Sequence, residues 1–130
     1  MYQPPTIVAI STPHGEGAIG AIRLSGSNAL NSVDGHTSKN LESQAANEAV
    51  FHRFRVDGKG LDEGLITNFK APHSYTGEDL VEISFHGSNY VLQSAMQSLI
   101  ESGAAIAEPG DFTTRAFLNG KMDLSQAEAV

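Results

Sequence analysis

The chain has 130 residues, a length that suits one domain with an ordinary hydrophobic core. The absence of Cys excludes disulfides and cysteine chemistry, and without an apolar run of roughly 18 residues we expect a soluble, cytoplasmic protein with no membrane partner. Fifteen acidic against eight basic residues give a net charge of −7, which disfavours polyanion binding by the surface as a whole.

The first third of the chain predicts two strands and a short helix. β-Branched and apolar residues fill 6–11 and 18–24, which predicts two strands joined by a Gly-rich turn. Residues 27–33 can form a short helix, although their Ser and Asn content weakens it. The small and polar residues of 34–48 predict a loop or an irregular helical connector.

The middle of the chain predicts a β-hairpin followed by a further strand. Residues 51–56 and 64–69 have strand patterns on either side of a Gly-Lys-Gly turn. Residues 80–85 form the further strand, with three apolar side chains on one face. Glu82 is therefore predicted to stand on the opposite, half-apolar face of a sheet.

The last third predicts two helices separated by a short strand. Residues 88–102 repeat apolar side chains at helical spacing, and Gly103 ends this helix. A short strand over 104–107 follows. Asp111 is predicted to cap a helix that continues through Asn119.

A final helix is predicted close to the C-terminus. Asp123 and Gln126 have the spacing of a capping box, in which each side chain bonds the backbone N–H of the other residue. The chain ends about two turns into this helix, which predicts that it is part of a longer polypeptide.

One glycine motif predicts a turn rather than a nucleotide site. Gly15 to Gly20 match the pattern G-x-G-x-x-G of dinucleotide-binding proteins. That motif requires a following helix, whereas the next residues, Ala-Ile-Arg-Leu-Ser, predict a strand. Glu16 would also face the phosphates, so we predict a Gly-rich turn between two strands.

Histidines and paired carboxylates do not indicate a metal site or acid–base catalysis. Five histidines lack the spacing of metal ligands: His14, His36, His52, His73 and His86. Glu78 and Asp79 are adjacent at the start of a strand, so their side chains point to opposite faces. We predict turn and capping roles for both.

Three charged residues need partners. Arg23 and Glu82 each lie within an apolar strand pattern, and Lys121 lies between the end of one helix and the cap of the next. The partner of a charge in such surroundings is either a ligand or another charge. The residues alone leave open a structural ion pair between Arg23 and Glu82 across the sheet.

Five segments, spread over most of the chain, form a recognisable set. They are Thr6-Ile-Val-Ala, Gly20-Ala-Ile-Arg-Leu-Ser-Gly26, Ser74-Tyr-Thr-Gly-Glu-Asp, Glu82 with His86-Gly87, and Pro109-Gly-Asp-Phe-Thr-Thr-Arg-Ala-Phe-Leu-Asn-Gly-Lys-Met-Asp-Leu-Ser-Gln-Ala-Glu-Ala. This set resembles the N-terminal domain of the MnmE (TrmE) family of tRNA modification GTPases. Residues 28–60 contain no part of it.

The resemblance implies an α+β fold, a mixed β-sheet with about three helices, similar to the folate-binding domain of the glycine-cleavage T protein. It implies a homodimer that binds 5-formyl- or 5,10-methylene-tetrahydrofolate, the one-carbon donor, at or near the dimer interface. Residues 1–120 would form this folate-binding and dimerisation domain, and 121–130 would begin a helical domain. By motif position, the folate contacts fall on Arg23, Glu82, Arg115 and Lys121, with no catalytic residue and no metal ligand.

The rest of the implied function lies outside this chain. Full-length members add a helical domain with an inserted G domain, which holds GTP, magnesium and potassium and hydrolyses GTP. Because this chain has no G-x-x-x-x-G-K-[ST] sequence, we expect no GTP hydrolysis from it alone. With the flavoprotein MnmG (GidA), the family adds a carboxymethylaminomethyl-type group to the wobble uridine of certain tRNAs.

Folate chemistry assigns roles to these residues. The amino group and ring N–H of a pterin lie side by side, so the Glu82 carboxylate can accept two parallel hydrogen bonds. The anionic glutamate tail can pair with Arg23, Arg115 or Lys121, and Arg23 can alternatively orient Glu82. Aromatic residues that can pack against the ligand rings, or equally belong to the core, are Tyr75, Phe85 and Phe112.

Two other functions remain open at this point. The chain can be a purely structural dimerisation module in which Arg23 and Glu82 only pair with each other. It can also be part of a T-protein-like aminomethyltransferase, although 130 residues cover only a portion of such an enzyme.

Overall fold

The computed structural model describes residues 4–11, 19–37, 40–86 and 88–129. Within them, six strands form one sheet in the order β3-β4-β5-β2-β1-β6. Neighbouring strands are antiparallel except β1 and β6, which are parallel. The strands are β1 Ile7–Ile10, β2 Ile19–Ser25, β3 Ala49–Val56, β4 Lys59–Phe69, β5 Leu80–His86 and β6 Ala105–Ile106.

The described residues also form four α-helices and a short 3-10 helix at Leu41–Ser43. The predicted α+β class with a mixed sheet is confirmed, with four α-helices where about three were expected. The fourth helix lies in 121–130, where the predicted domain boundary stays a prediction. The helices are α1 Ala29–Asp34, α2 Asn89–Glu101, α3 Asp111–Leu118 and α4 Leu124–Ala129.

Helix α2 covers one face of the sheet and forms the core with it. Ser88 caps the helix by accepting a hydrogen bond from the backbone N–H of Val91. Apolar residues at helical spacing then face the sheet, as the sequence predicts for 88–102. The fully or nearly fully buried members of this core include Val8, Ile22, Leu24, Ile66, Val81, Ile83, Phe85, Leu92, Ala95 and Leu99.

The opposite face of the sheet is only partly covered. We call it the Arg23 face, because side chains there alternate along the strands with those of the core and include Arg23, Glu82 and Thr67. The loop 70–79 and helix α3 lie over one end of it. This combination of half-covered sheet and overlying loop positions the candidate site.

Local turn and cap predictions have mixed outcomes. The hairpin is confirmed, but its turn lies at Asp57 and Gly58, whose φ angles are 52° and 77°, so that Lys59 and Gly60 of the predicted Gly-Lys-Gly turn belong to β4. The capping box is also confirmed, since Asp123 and Gln126 exchange hydrogen bonds of 2.8 and 2.9 Å. The prediction that Asp111 caps α3 is wrong: Gly110 occupies the cap position with φ 85°.

The structure describes only the end of the predicted Gly-rich turn, where β2 begins at Ile19. Strand β2 follows the G-x-G-x-x-G pattern, as predicted, where a dinucleotide site would need a helix. Residues 12–18, which include His14 and Glu16, lie outside the described residues. In the part of the chain that the structure describes, no helix is long and apolar enough to span a membrane.

Candidate functional site

Arg23 and Glu82 are brought together by strand register. They lie directly opposite each other on β2 and β5, and Arg23 Nη2 donates to Glu82 Oε2 at 3.3 Å. Their side chains remain 31% and 35% exposed. Arg23 Nε is buried and has no hydrogen-bond partner among the described residues, so the pair leaves part of the guanidinium unsatisfied.

Two aromatic rings lie close to the Arg23 guanidinium. Its Cζ atom lies 5.8 Å from the centroid of the Tyr75 ring and 6.0 Å from that of Phe112. Both distances are within the range of cation–π attraction. Tyr75 OH is also 3.0 Å from Thr113 Oγ1, which ties the loop ring to helix α3. The Arg23 cation therefore lies close to the faces of two aromatic rings.

Arg115 lies in α3, and its guanidinium is hydrogen-bonded to other groups of the protein. Its side chain is 12% exposed, and Nη1 donates to Glu78 Oε1 at 3.0 Å and to the Ser25 carbonyl at 3.3 Å. Nη2 donates to the carbonyl of Pro5. Glu78 also accepts from Ser25 Oγ at 2.7 Å. The predicted turn and capping role of Glu78 is thus replaced by a nearly buried ion pair.

Lys121 reaches the loop that carries Tyr75. Its Nζ donates to the Pro72 carbonyl at 3.1 Å, and the residue is exposed. Nearby, Asn119 Nδ2 donates to the Thr76 carbonyl at 2.8 Å. Gly77 permits this approach, since its φ is 80° and a Cβ there would lie 2.9 Å from the Asn119 Cβ.

A cleft of about 660 Å³ opens beside Phe112, between α3 and α4. This volume is in the range of small-molecule sites. It is lined by Gly110, Phe112, Thr113, Thr114, Phe117, Leu124, Ala127 and Glu128. Phe112 therefore borders both the Arg23 guanidinium and open space that a ring-shaped ligand can enter.

A second charged pair lies further along β5. His86 Nδ1 is 2.9 Å from Asp62 Oδ1, and the backbone N–H of His86 donates to Asp62 Oδ2 at 3.1 Å. Burial alone would raise the pKa of Asp62, but the hydrogen bonds from His86 outweigh it and lower the pKa below 3.8. Asp62 therefore stays ionised and fixes the His86 ring, whose side chain is 78% exposed.

The remaining histidines and aromatics have structural positions. His36 stacks on Phe54 at 4.9 Å between ring centroids, and its Nδ1 is 2.9 Å from the Arg55 carbonyl. His52 is buried and its Nε2 lies 2.7 Å from Gln44 Oε1. Phe85 is 2% exposed and belongs to the core. No group of three potential metal ligands occurs within the described ranges.

Residues 6–121 match the family model described as the N-terminus of the GTP-binding protein TrmE. The chain belongs to this family. The resemblance drawn from the motifs is therefore confirmed. The TrmE match includes all four predicted site residues and both elements that overlie the Arg23 face.

Individual relatives carry the name tRNA modification GTPase MnmE. The chain is 50% identical to that of Aquifex aeolicus over 126 residues, or 95% of this chain. It is 47% identical to that of Flavobacterium johnsoniae over 135 residues, and 51% identical to that of Bacteroides fragilis over 131 residues, covering 100% and 96% of this chain. The matched region makes up 28–29% of the length of these relatives.

The sequence pattern points to two residues of this candidate site, Arg23 and Glu82, and not to two ion pairs that the structure shows near them. Arg23 and Glu82 were detectable because charges interrupt apolar strands. The Glu78–Arg115 and Asp62–His86 pairs were not, since each joins residues far apart in sequence and none of the four interrupts a regular apolar pattern. Only the fold brings these partners together.

Proposed function

We propose that this chain is the folate-binding and dimer-forming domain of a tRNA modification GTPase. In this proposal, 5-formyl- or 5,10-methylene-tetrahydrofolate binds over the Arg23 face, with Arg23, Glu82 and Lys121 as contacts. The observation that supports it most is the state of Arg23. Its guanidinium lies 5.8 and 6.0 Å from the centroids of two aromatic rings, and its pair with Glu82 is about a third exposed, so a ligand can reach both charges.

The ligand chemistry fits these residues. A pterin edge offers two adjacent donors to the Glu82 carboxylate, and Arg23 holds that carboxylate in place from the neighbouring strand. Tyr75 and Phe112 supply ring surfaces for a flat heterocycle. Lys121, exposed at the 70–79 loop, can pair with a carboxylate of the glutamate tail. The domain would bind and orient the folate, whose one-carbon unit supplies the chemistry.

The larger assembly follows from the same proposal. In a full-length protein of this family, a separate G domain would bind and hydrolyse GTP with magnesium and potassium. The flavoprotein MnmG would supply the redox step, and the wobble uridine of tRNA would receive the modification. The net charge of −7 fits a domain that leaves tRNA binding to other parts of the assembly.

The competing function is a structural dimerisation module in which Arg23 and Glu82 only pair with each other. The exposure of the pair argues against it. Ion pairs that remain about a third exposed contribute roughly 0–1 kcal/mol to stability, because solvent screens them. A structural ion pair of this strength would add little stability to the sheet, so it does not by itself explain two charges in the middle of the strands.

Calorimetric titration with 5-formyl-tetrahydrofolate tests the proposal, with light scattering in the same buffer to establish the oligomeric state. Glu82→Gln keeps the shape of the side chain but removes its charge. We expect it to lower the affinity by about ten- to a hundredfold, the loss of a charge-assisted pair of bonds. Glu63→Gln is the matched control, since Glu63 is an exposed carboxylate on the same sheet.

Two outcomes would contradict the proposal. Equal affinity of Glu82→Gln and Glu63→Gln would remove Glu82 from the site. A dimer without saturable binding at about millimolar ligand would favour the structural module.

A further inference from the structure

The loop 70–79, helix α3 and residues 119–121 after it form one cover over the end of the Arg23 face, and polar contacts join the loop to the other two parts. Tyr75 bonds to Thr113, Thr76 to Asn119, and Pro72 to Lys121. The fully buried Ser25 and Thr76 hydroxyls, 2.6 Å apart, join the loop to β2. Beside them lies the ion pair between Glu78 and Arg115, whose side chains are 16% and 12% exposed. This pair also anchors the cover to β2 through Ser25.

The geometry of Arg115 explains why an arginine occupies this position. One side chain donates to the Glu78 carboxylate, the Ser25 carbonyl and the Pro5 carbonyl, which belong to three separate segments. A planar guanidinium can satisfy acceptors in several fixed directions, whereas a lysine ammonium on a flexible stem cannot hold all of them in the same geometry. All the Arg115 donors named here point into the protein rather than toward a ligand.

We propose that Glu78 and Arg115 are positioning residues, which hold the cover so that the rings of Tyr75 and Phe112 stay close to the Arg23 guanidinium. The pair acts through these two rings and not by touching the ligand. This role rests on the proposed folate function for its effect on affinity. Its structural part, the placement of the rings, is independent of any ligand.

Breaking the Glu78–Arg115 pair is expected to loosen the cover, because separating two largely buried charges costs free energy. Replacing Glu78 by Gln puts an amide N–H₂ beside the Arg115 guanidinium, so two donors face each other and the arginine loses its countercharge. The link between the cover and β2 then weakens first. Tyr75 lies three positions before Glu78 in the loop, and Phe112 lies one helical turn before Arg115 in α3, so we expect both rings to shift when the pair is broken.

The chemical shift of the Arg23 Nε–H proton, measured by nuclear magnetic resonance, reports the positions of the two rings. Ring currents from Tyr75 and Phe112 move this chemical shift away from the value of an exposed arginine. We expect Glu78→Gln and Arg115→Lys to move it back, in protein that remains folded by its amide spectrum. Glu63→Gln, which changes an exposed carboxylate outside the cover, should leave it unchanged.

Calorimetry with 5-formyl-tetrahydrofolate on the same variants gives the second readout. Displaced supporting groups commonly weaken a site by about tenfold or more, and we expect that loss for both variants. If the wild type does not bind the folate but the Arg23 resonance moves, the folate function fails and the positioning role stands.

An unchanged Arg23 resonance in folded Glu78→Gln and Arg115→Lys would overturn the positioning role, whatever the affinity. Unfolding of both variants would overturn it as well, since the pair would then support the whole domain rather than the two rings.

Discussion

Glu82 on β5 is the cross-strand partner of Arg23 on β2, and the two side chains meet at 3.3 Å on the half-open face of the sheet. Backbone register fixes this relationship, because the strands pair continuously from Ile19–His86 to Ser25–Leu80. The two charges are therefore held in place without a buried network around them. In the proposed function, the partly exposed Glu82 carboxylate binds the ligand while Arg23 orients it.

The first prediction concerns the stability of Glu82→Gln. Because the pair is about a third exposed, we expect the free energy of unfolding to fall by less than about 1 kcal/mol. Urea denaturation of the wild type and the variant measures this change, with Glu63→Gln as the control. A loss of several kcal/mol would mean that the pair is a structural element of the core.

The second prediction concerns the core beneath α2. Leu99 is fully buried, so Leu99→Ala leaves a cavity and should destabilise the fold by about 2–5 kcal/mol. Leu118 is 72% exposed on α3, and Leu118→Ala should change stability by less than about 0.5 kcal/mol. Thermal and urea unfolding compare the two leucines. Similar losses at both sites would be inconsistent with the described packing of α2.

The third prediction concerns the glycine after β2. Gly26 has φ 143°, and a Cβ there would lie 2.7 Å from the Cα atom of Thr6. Gly26→Ala should therefore cost about 1–3 kcal/mol through backbone strain and overlap. Gly35→Ala is the control, since a Cβ at Gly35 meets nothing within 4 Å. Equal unfolding midpoints for the two variants would refute the close approach of Gly26 to Thr6.

The fourth prediction concerns pH and Asp62. Its folded pKa lies below its ordinary value of 3.8, because hydrogen bonds from His86 outweigh the effect of burial. Ionised Asp62 therefore stabilises the fold above that value, and the contribution is lost as the pH falls through the folded pKa. Asp62→Asn should be less stable than the wild type near neutral pH, with the difference shrinking under acid conditions.

Urea unfolding over a series of pH values measures this difference. Glu63→Gln, which removes the neighbouring exposed carboxylate, provides the comparison. A destabilisation by Asp62→Asn that stays constant from neutral to strongly acid pH would contradict an ionic contribution of Asp62.

Elements with a strong local pattern were predictable. Helix α2 has an apolar repeat and a Ser88 cap, and the hairpin has a Gly-containing two-residue turn, so neighbouring residues specify both. The start of α3 was predicted incorrectly for a local reason. Gly110 adopts a left-handed conformation at the cap position, and Asp111 turns back to accept a hydrogen bond from the Glu108 N–H at 2.7 Å.

The site was predictable only where a charge interrupts a pattern. Arg23 and Glu82 were recognised in this way, but their direct opposition depends on the pairing of β2 with β5, and the two residues are 59 positions apart in the sequence. The ion pair of Glu78 with Arg115 depends on the same long-range arrangement. No local rule specifies which distant charge reaches a given residue, and that is why Glu78 was assigned to a turn.

Titration of the wild type with 5-formyl-tetrahydrofolate, followed through the Arg23 Nε–H resonance, tests the central claim most directly. We predict a saturable shift of this signal, because a folate bound to Glu82 changes the surroundings of the Arg23 guanidinium that bonds to the same carboxylate. The shift should disappear in Glu82→Gln and persist in Glu63→Gln. Saturable binding that leaves the Arg23 resonance unmoved, or no binding at about millimolar ligand, would contradict a folate site on the Arg23 face.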